Sequence, residues 1–458
     1  MVLMKLLRLK DFPGKGTFHN GIHPPDCKAF SRDRAIEVMP PPDRVVLPLL
    51  QNIGAPCEAI VKPKQEVTIG EIIGEGKAFV SASLHSPIAG VVEKIGVCTL
   101  PNGRHLPAIF IKAKGEQITG QALYDDVIGG EWPKDCPAIY YPSTIAKAIH
   151  DSGIVGLGGA AFPTHVKVRP DDKKMIDTLM INGCECEPYL TNDYRVMIEA
   201  PGPIIAGAKH AARAVSAKEI IICIEDNKPK AIEALREEAQ DTVIKIAVLE
   251  TKYPQGSEKQ LIKAVLDLEV PLGGLPADVG VAMSNVGTIA AVARGVIRGK
   301  PLTHRVISVS GGGIAKSKNL LVPIGISMKA VIDYCGGLTE DAARIIAGGP
   351  MMGFAFSNLE TPVTKGTSGL TVLTHEDLRR EEETNCVRCG RCVDVCPMQL
   401  VPTKIAMASR HGNLSLAQRY NILACFECGC CTYSCPAHIK LVQLIRMGKA
   451  MVMAGRKK

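Results

Sequence analysis

Hydrophobic residues follow two different periodicities along this chain. Between residues 31 and 115, short runs of alternating apolar residues, rich in valine, isoleucine, glycine and proline, are separated by turn residues. The runs at 59–62, 66–70 and 71–74 have the length and alternation of β-strands. The pattern predicts a small β-barrel domain over residues 31–115, preceded by an N-terminal arm over residues 1–30.

From residue 135 the pattern changes to an alternation of strands and helices. Short apolar strands at 178–181, 219–224 and 244–249 are interleaved with helical patterns at 230–239, 257–266 and 286–297. Such alternation predicts a mostly parallel sheet with helices on its faces, and hence a Rossmann-like α/β domain over 135–300. Strands at 306–310 and 320–324, with a helix at 327–334, predict a small α+β unit over 301–360. Residues 373–458 have a helical, charged pattern outside their cysteines.

Composition excludes several classes of protein. The 458 residues carry a net charge of +8 and only 4% aromatic residues, which disfavours a nucleic-acid platform built on base stacking. The longest charge-free run, residues 279–293, is shorter than a membrane span. Lysines and arginines interrupt residues 1–10 before a signal-peptide core can form. The weak positive charge favours an acidic protein partner or a membrane surface over a duplex, so no nucleic-acid partner is expected.

Cysteine carries the strongest chemical signal. An odd total of 17 cysteines in a long chain without an export signal disfavours a secreted disulfide scaffold. Nine of them lie within residues 386–435, and this crowding points to metal binding in a reducing compartment. Two runs have the spacing C-x₂-C-x₂-C-x₃-C-P, which is typical of proteins with two [4Fe–4S] clusters. The runs comprise Cys386, Cys389, Cys392 and Cys396, then Cys425, Cys428, Cys431 and Cys435.

In such runs the last cysteine of each completes the cluster of the other. We therefore assign Cys435 to the cluster begun by Cys386, and Cys396 to the cluster begun by Cys425. Two structural zinc sites are the alternative, but zinc prefers pairs of C-x-x-C motifs separated by longer loops. Cys430 is left without a ligand role. Helical patterns at 403–410 and 415–423, between and beside the runs, predict a helical two-cluster module.

A glycine-rich segment, GLGGAA at 156–161, formally satisfies G-x-G-x-x-A. It follows a helical stretch at 145–150 and not a strand, so the dinucleotide-binding context fails. Three glycines in four positions still permit close approach of a phosphate or a flat ring. Pro163 is expected in the first turn of the next helix, with Lys167 one turn further on, within reach of a phosphate. The residues alone leave nucleotide or flavin binding and a structural turn as equal interpretations.

A second polar segment, NGCECEP at 182–188, follows the strand predicted at 178–181. Its carboxylates, Glu185 and Glu187, lie where open α/β sheets bind ligands, beyond the carboxyl end of a parallel strand. Cys184 and Cys186 form only a C-x-C pair, which we interpret as small residues lining the site.

Four segments together resemble the flavin-bearing NADH dehydrogenase subunit of respiratory complex I: GLGGAAFPTHVK at 156–167, NGCECEP, YPQGSE at 253–258 and SNVGT at 284–288. The segment at 301–360 resembles the soluble-ligand-binding β-grasp domain of that subunit. Two segments of the predicted barrel, IVKPKQEVTIGEIIGE and HSPIAGVVEKI, resemble biotinyl/lipoyl domains of the barrel-sandwich hybrid type. The full order, from GIHPP at 21–25 to two cluster motifs, is similar to that of the RnfC family, whose members are the NAD-side subunits of Rnf complexes.

The resemblance implies a set of cofactor contacts. FMN would be held by Gly156, Gly158, Gly159, Lys167, Asn182, Glu185, Gly256, Ser257, Asn285 and Thr288. Phe162 would stack on the nicotinamide, and Glu187 and Glu258 would bind the rest of NAD(H). No side chain need act as a catalytic acid or base, since hydride transfer belongs to the flavin.

The resemblance also implies a cellular setting. Members of the family exchange hydride between NAD(H) and FMN and single electrons with two [4Fe–4S] clusters. They work with a ferredoxin-like iron–sulfur subunit and with membrane subunits that translocate ions. Their place is peripheral, on the cytoplasmic face of the bacterial cell membrane.

Three departures from the complex I pattern keep alternatives open. Leu157 replaces an arginine, Cys184 replaces an acidic residue, and Ser257 replaces a glutamate. Weaker flavin binding follows from these changes, and a cluster-only electron wire that binds no NADH is one alternative function. A microcompartment cobalamin reductase is the other, although its barrel is expected after the flavin domain and not before it.

Overall fold

The computed structural model describes residues 12–169, 174–378 and 381–455. The first part of the predicted arm and the basic C-terminal residues 456–458 lie outside the described residues. The described residues form two sheets in the N-terminal module, one parallel sheet in an α/β domain, one mixed sheet and a helical C-terminal module.

The N-terminal module is all β, as predicted. Its strands are β2 (Arg44–Pro48), β3 (Glu58–Ala59), β4 (Glu66–Val67), β5 (Ile72–Glu75), β6 (Leu84–His85), β7 (Gly90–Thr99) and β8 (His105–Ala113). They form a four-stranded sheet, β2-β8-β7-β4, and a three-stranded sheet, β3-β5-β6. Val45 and Leu47 of β2 and Ile109 and Ile111 of β8 are fully buried at alternate positions, so one face of each strand fills the core.

Strand β1 (Ile36–Val38) departs from the prediction. It falls within the predicted barrel segment but pairs in parallel with a strand of another sheet, Ile36 opposite Asn319 and Val38 opposite Leu321. The sequence pattern of β1 does not say which edge it joins, because a three-residue strand satisfies its hydrogen bonds at any free edge.

The α/β domain confirms the predicted alternation. Its helices and strands are α1 (Gly120–Val127), α2 (Pro142–Asp151), α3 (Thr164–Lys167), β9 (Thr178–Asn182), α4 (Asn192–Glu199), α5 (Pro201–Val215), β10 (Glu219–Glu225), α6 (Pro229–Glu238), β11 (Ile244–Leu249), α7 (Glu258–Leu266), β12 (Val281–Asn285) and α8 (Val286–Ile297). All pairings in the sheet β11-β10-β9-β12 are parallel. Pro163 precedes the short helix α3 as its N-cap, one residue earlier than predicted.

The third module is a six-stranded mixed sheet with one helix. It contains β13 (His304–Ser310), β14 (Lys318–Pro323), α9 (Met328–Tyr334), β15 (Ala342–Ala347), β16 (Phe354–Phe356) and β17 (Gly369–Thr374), in the order β1-β14-β13-β17-β15-β16. The unit predicted at 301–360 is therefore completed by β1, which precedes it in the chain, and by β17, which follows it. Strand β17 lies between β13 and β15 in the sheet, a long-range pairing that local pattern does not encode.

Buried His304 makes the stability of this module depend on pH. Burial and then nearby Arg294 lower the pKa of His304 to about 3, while an unfolded histidine titrates near 6.5. Below about pH 6.5 the unfolded chain binds a proton that the folded chain does not bind. The free energy of unfolding therefore falls by about 1.4 kcal/mol for each pH unit by which the pH is lowered. We expect His304→Gln to flatten the pH dependence of the thermal unfolding midpoint between about pH 5 and about pH 6.5. The same substitution at exposed His105 should leave the wild-type slope, and an unchanged slope in H304Q would contradict the assignment.

The C-terminal module is helical, as predicted. Its helices are α10 (Arg391–Asp394), α11 (Pro402–Arg410), α12 (Leu414–Arg419), α13 (Cys430–Tyr433) and α14 (Leu441–Gly455). The helix predicted at 415–423 ends at Arg419 and is followed by a short 3₁₀ turn, Ile422–Ala424. Asn421, with φ of 60°, interrupts the predicted helix, because a residue in the left-handed conformation cannot continue an α-helix.

A buried lysine joins three modules at one point. The Lys365 ammonium, between β16 and β17, donates to the carbonyl of Ser83 in the barrel and to that of Gly153 in the α/β domain, both at 2.6 Å. Arg305 of β13 donates to the Leu157 carbonyl at 3.1 Å and to the Lys365 carbonyl. The glycine-rich segment is thereby held against both the barrel and the mixed sheet.

Candidate functional site

The glycine-rich segment forms a closed loop between α2 and α3. The Gly156 amide donates to the Phe162 carbonyl at 2.8 Å, and the Ala161 amide donates to the Gly156 carbonyl at 3.1 Å. The Leu157 amide donates to the Thr288 hydroxyl at 2.8 Å, which ties the loop to the first turn of α8. The residues at the tip of the loop, 158–160, are exposed, so their backbone is accessible to a ligand.

Two asparagines lie side by side at the carboxyl edge of the parallel sheet. Asn182 ends β9 and Asn285 ends β12, and the two are register partners. Asn182 donates to the Gly256 carbonyl at 2.7 Å. Asn285 caps α8 by accepting from the amides of Gly287 and Thr288. The edge where open α/β sheets bind ligands therefore gathers residues from four of the predicted segments.

The N-terminus of α7 adds an anion-binding feature to the same edge. Ser257 occupies the N-cap position, but its side chain makes no capping bond, so the first amides of this nine-residue helix are available to a ligand. Lys167 donates to the Glu258 carboxylate at 2.7 Å and to the Met283 carbonyl at 3.3 Å. The predicted phosphate ligand Lys167 and the predicted NADH ligand Glu258 are thus paired with each other.

Close packing at the glycines fits a flat cofactor. A Cβ atom at Gly158 would lie 3.3 Å from the Asn285 Cβ atom, and one at Gly256 would lie 3.3 Å from the Cys186 sulfur. Gly159 has φ of +105°, a conformation that favours glycine. Accessible loop backbone, amide side chains and an uncapped helix N-terminus together suit the ring and phosphate of FMN, so the residues present fit this group.

The structure places Glu185 differently from the expectation that it contacts FMN directly. Its side chain is 4% exposed and accepts the amides of Asp193 at 2.7 Å and Tyr194 at 3.4 Å. Burial raises its pKa to about 7, although nearby Lys28 lowers it. The Glu185 side chain holds the NGCECEP loop to the start of α4.

Lys28 of the N-terminal arm is the residue that the sequence did not reveal. Its ammonium donates to the carbonyls of Glu185 at 2.9 Å, Glu187 at 3.0 Å and Leu190 at 2.5 Å. It also lies 3.8 Å from the Glu185 carboxylate. Because Lys28 is more than 150 residues from this loop in sequence, no local pattern could have signalled the contact.

Glu187, predicted to bind NADH, is engaged by the mixed sheet. Its carboxylate accepts the amides of Met351 at 3.2 Å and Met352 at 2.8 Å, in the turn between β15 and β16. Burial raises its pKa to about 7. Glu187 therefore links the ligand-binding edge to the third module.

The cysteine runs form an internal repeat with matching backbone. Arg388 and Glu427 have φ of 57° and 66°, and Gly390 and Gly429 have φ of 80° and 84°. The amide of Arg388 donates to the Cys386 sulfur, and the amide of Glu427 donates to the Cys425 sulfur, each at 3.4 Å. Amide-to-sulfur bonds of this kind stabilise cluster thiolates and tune their potentials.

Side-chain placement supports the crossed assignment. Cys396, from the first run, lines one cavity with Cys425, Cys428, Cys430 and Cys431 of the second. We call Cys396, Cys425, Cys428 and Cys431, the four with motif spacing, the inner cysteine group. Burial raises the pKa of the Cys392 thiol, as do nearby Cys389 and Cys435. We call Cys386, Cys389, Cys392 and Cys435 the outer cysteine group. Both donor sets have the all-thiolate chemistry that a cubane requires.

An α/β ligand edge joined to two four-cysteine groups defines the class of flavin-linked iron–sulfur electron-transfer proteins. Family models match the chain as a Nuo51 FMN-binding domain at 149–294, an RnfC barrel sandwich hybrid domain at 16–116, an SLBB domain at 306–355 and a 4Fe-4S dicluster domain at 385–439. These matches confirm the predicted fold class, the FMN domain and the two-cluster module, and they favour iron–sulfur clusters over zinc.

Curated relatives extend over nearly the whole chain. The C subunit of the proton-translocating ferredoxin:NAD(+) oxidoreductase complex of Clostridium ljungdahlii is 42% identical, over 95% of this chain and 93% of the relative. Its Na(+)-translocating counterpart from Acetobacterium woodii is 39% identical, over 97% and 98%. The C subunit of the ion-translocating oxidoreductase complex of Rhodobacter capsulatus is 40% identical, over 94% and 82%. The chain belongs to this RnfC family, as the sequence resemblance predicted.

A solved structure with a similar fold is the NAD+-reducing [NiFe]-hydrogenase in the H2-reduced state. It matches with a TM-score of 0.50 and 19% identity, over 71% of this chain and 67% of the other. Within the described residues of the present chain, no helix has the length and apolar character needed to cross a membrane.

Proposed function

We propose that this chain is the NAD-side electron-transfer subunit of an ion-translocating ferredoxin:NAD oxidoreductase complex. When bound, FMN supplies hydride exchange with NAD(H) and single-electron exchange with two [4Fe–4S] clusters. The observation that carries the proposal is the direct contact between the ligand edge and the inner cysteine group.

Three features make that contact. The Tyr253 hydroxyl, from the YPQGSE segment, donates to the Cys428 carbonyl at 2.7 Å. Gln260 of α7 donates to the Pro397 carbonyl at 3.1 Å. Ile22, Tyr253, Cys428 and Cys430 form one buried apolar cluster, with Cys186 packed against it. The inner cysteine group would therefore hold the cluster that lies nearer the flavin.

The outer cysteine group faces solvent at Cys386 and Cys389. Arg388 and Arg391 beside them are also exposed and suit an acidic partner. The proposed order is NAD(H), FMN, inner cluster, outer cluster and then a ferredoxin-like iron–sulfur subunit. Membrane subunits of the same complex would translocate the ion, with this chain peripheral on the cytoplasmic face of the cell membrane.

Each predicted ligand keeps a role in the proposal. Gly156, Gly158 and Gly159 shape the loop that carries the flavin ring, and Thr288 fixes that loop. Asn182, Asn285 and Gly256 line its edge. Lys167 and the amides after Ser257 hold the phosphate. Lys167 leaves the Glu258 carboxylate when the phosphate binds. Phe162 and Glu258 bind NAD(H), Glu187 borders that site while its carboxylate holds the β15–β16 turn, and Glu185 positions the loop that Lys28 fastens.

An anaerobic titration tests the proposal. Iron-reconstituted protein is loaded with FMN and mixed with NADH while visible absorption and electron paramagnetic resonance are recorded. We expect the flavin absorption to bleach and cubane signals to appear together. Clusters that dithionite reduces but NADH does not would refute the proposal and favour the cluster-only alternative.

The same titration addresses the cobalamin reductase alternative. Reduced ferredoxin is supplied with NAD+ as the acceptor, or NADH with cob(III)alamin as the acceptor, since both of these transfers run downhill. We expect NADH to form from reduced ferredoxin and the corrinoid to stay oxidised, in line with the family to which the chain belongs. Faster turnover with the corrinoid would assign the chain to the other function.

A further inference from the structure

The N-terminal arm runs between the ligand edge and the inner cysteine group, and we call its residues 20–28 the strap. At one end of the strap the Asn20 side chain donates to the Cys396 carbonyl at 3.0 Å. The adjacent Gly21 amide donates to the Val395 carbonyl at 3.1 Å. Because Cys396 is the crossed ligand of the inner group, this end of the strap holds the segment that delivers that thiolate.

The other end of the strap holds the loop that carries NGCECEP. The buried Lys28 ammonium donates to three carbonyls of residues 185–190. The Tyr189 amide donates in return to the Asp26 carbonyl at 2.9 Å. The loop begins at Asn182, whose side chain donates to the Gly256 carbonyl at the ligand edge. One continuous segment therefore contacts the surroundings of both cofactor sites.

The middle of the strap is fixed to the YPQGSE segment. Ile22 and Tyr253 exchange two backbone hydrogen bonds, each 2.9 Å long. Gly21 has φ of +81°, and a Cβ atom there would lie 2.6 Å from the Tyr253 carbonyl oxygen, so only glycine permits this approach. Pro24 and Pro25 restrict φ in the next part of the strap. The strap therefore has little freedom to absorb a displacement between its two ends.

Ordering of the strap links the two sites energetically. Each backbone residue that becomes ordered costs about 1–2 kcal/mol of conformational entropy, which the contacts at both ends offset. A cluster bound by Cys396 fixes the two carbonyls that accept from Asn20 and Gly21. Once the strap is ordered from that end, Lys28 holds the 185–190 loop at a smaller entropic cost. Such coupling is reciprocal, so FMN at the ligand edge favours the inner cluster by the same factor.

We propose that the strap couples FMN binding to the presence of the inner cluster, with Asn20 as the positioning residue at the cluster end. The proposal rests on the proposed function and deepens it, because it adds a condition under which the chain retains flavin. A chain that lacks the inner cluster holds FMN weakly. Reduced flavin is therefore not formed in a chain that has no cluster to accept its electrons.

The dissociation constant of FMN tests the coupling in a double-mutant cycle. Iron-reconstituted protein is titrated anaerobically with FMN, and the quenching of flavin fluorescence is recorded without NADH. We expect Cys396→Ser, which removes the inner cluster, to raise the dissociation constant about 5-fold or more. Asn20→Gly removes the side-chain donor and tolerates the φ of 64° at this position, so it should raise the constant by a similar factor. In the double variant N20G/C396S the second change should add nothing.

Two control variants make the result specific. Cys435→Ser removes only the outer cluster and should leave the FMN constant unchanged. Asp241→Gly changes a residue with a similar φ, 61°, in the loop between α6 and β11, and should also have no effect. Hydrogen exchange of residues 20–28 should become faster in N20G and C396S and stay unchanged in both controls. The dithionite-reduced signal of the outer cluster shows that C396S is folded.

The wild-type FMN constant in either N20G or C396S would overturn the coupling. So would a double variant in which the two losses of affinity multiply, because independent effects would do so. Wild-type protein that binds no FMN, or FMN-loaded wild type that NADH does not reduce, would instead refute the proposed function. The failure of the coupling and the failure of the function are therefore different results.

Discussion

Replacing Cys396 by serine is expected to remove the cluster that faces the flavin, although Cys396 lies in the first cysteine run. Cys396 lines a cavity with Cys425, Cys428 and Cys431, and serine is a poor substitute for a cluster thiolate. The purified variant should hold about half of the wild-type iron. Because the inner cluster lies between the flavin and the outer cluster in the proposed order, NADH should no longer reduce any cluster above the background rate, while dithionite still reduces the outer one.

Two comparisons make this result specific. Cys435→Ser should remove the outer cluster and leave an inner cluster that NADH still reduces. Cys430→Ser alters a buried thiol between two ligands of the inner group and should keep both clusters. Iron analysis and paramagnetic resonance with each reductant measure all three variants. A NADH-reducible cluster in C396S would show that the runs are not crossed.

Replacing Lys28 by methionine should be the most destabilising single change near the flavin edge. It removes the donor to three carbonyls of the 185–190 loop and leaves the Glu185 carboxylate buried without its cation. Breaking a buried pair in this way costs about 3–5 kcal/mol. We expect a lower unfolding midpoint and weaker FMN retention, because the same loop carries the ligand edge.

A second substitution separates charge from packing. In Lys28→Met/Glu185→Gln the uncompensated carboxylate is gone, so stability should recover in part relative to K28M. Lys230→Met is the control, since Lys230 is 68% exposed and only 3.8 Å from Asp33 in a surface pair, worth about 0–1 kcal/mol. Circular dichroism melting and fluorescence of released FMN measure both effects. A K28M protein as stable as K230M would contradict the role given to Lys28.

Local pattern predicted more of the metal chemistry than of the ligand edge. The cysteine spacing needs only the short loops that carry three thiolates, so the sequence already specified both runs. The α/β strands and helices were also readable, and helix 286–297 has the predicted bounds. At the ligand edge, however, the prediction treated Glu185 and Glu187 as free ligands. The structure pairs them with Lys28 and with the β15–β16 turn, contacts that join distant parts of the chain.

The sequence by itself determined the module order, the strand and helix periodicities, the two cluster motifs and the family. These depend on spacing along the chain, which local geometry and ligand chemistry fix. Only the tertiary structure decided that β1 and β17 complete the mixed sheet, that Lys28 fastens the NGCECEP loop, and that the inner cysteine group contacts Tyr253. It also placed Phe79 of the barrel against His165 of α3. Such contacts are chosen by which surfaces bury each other in the folded chain, and no periodicity of the sequence records that choice.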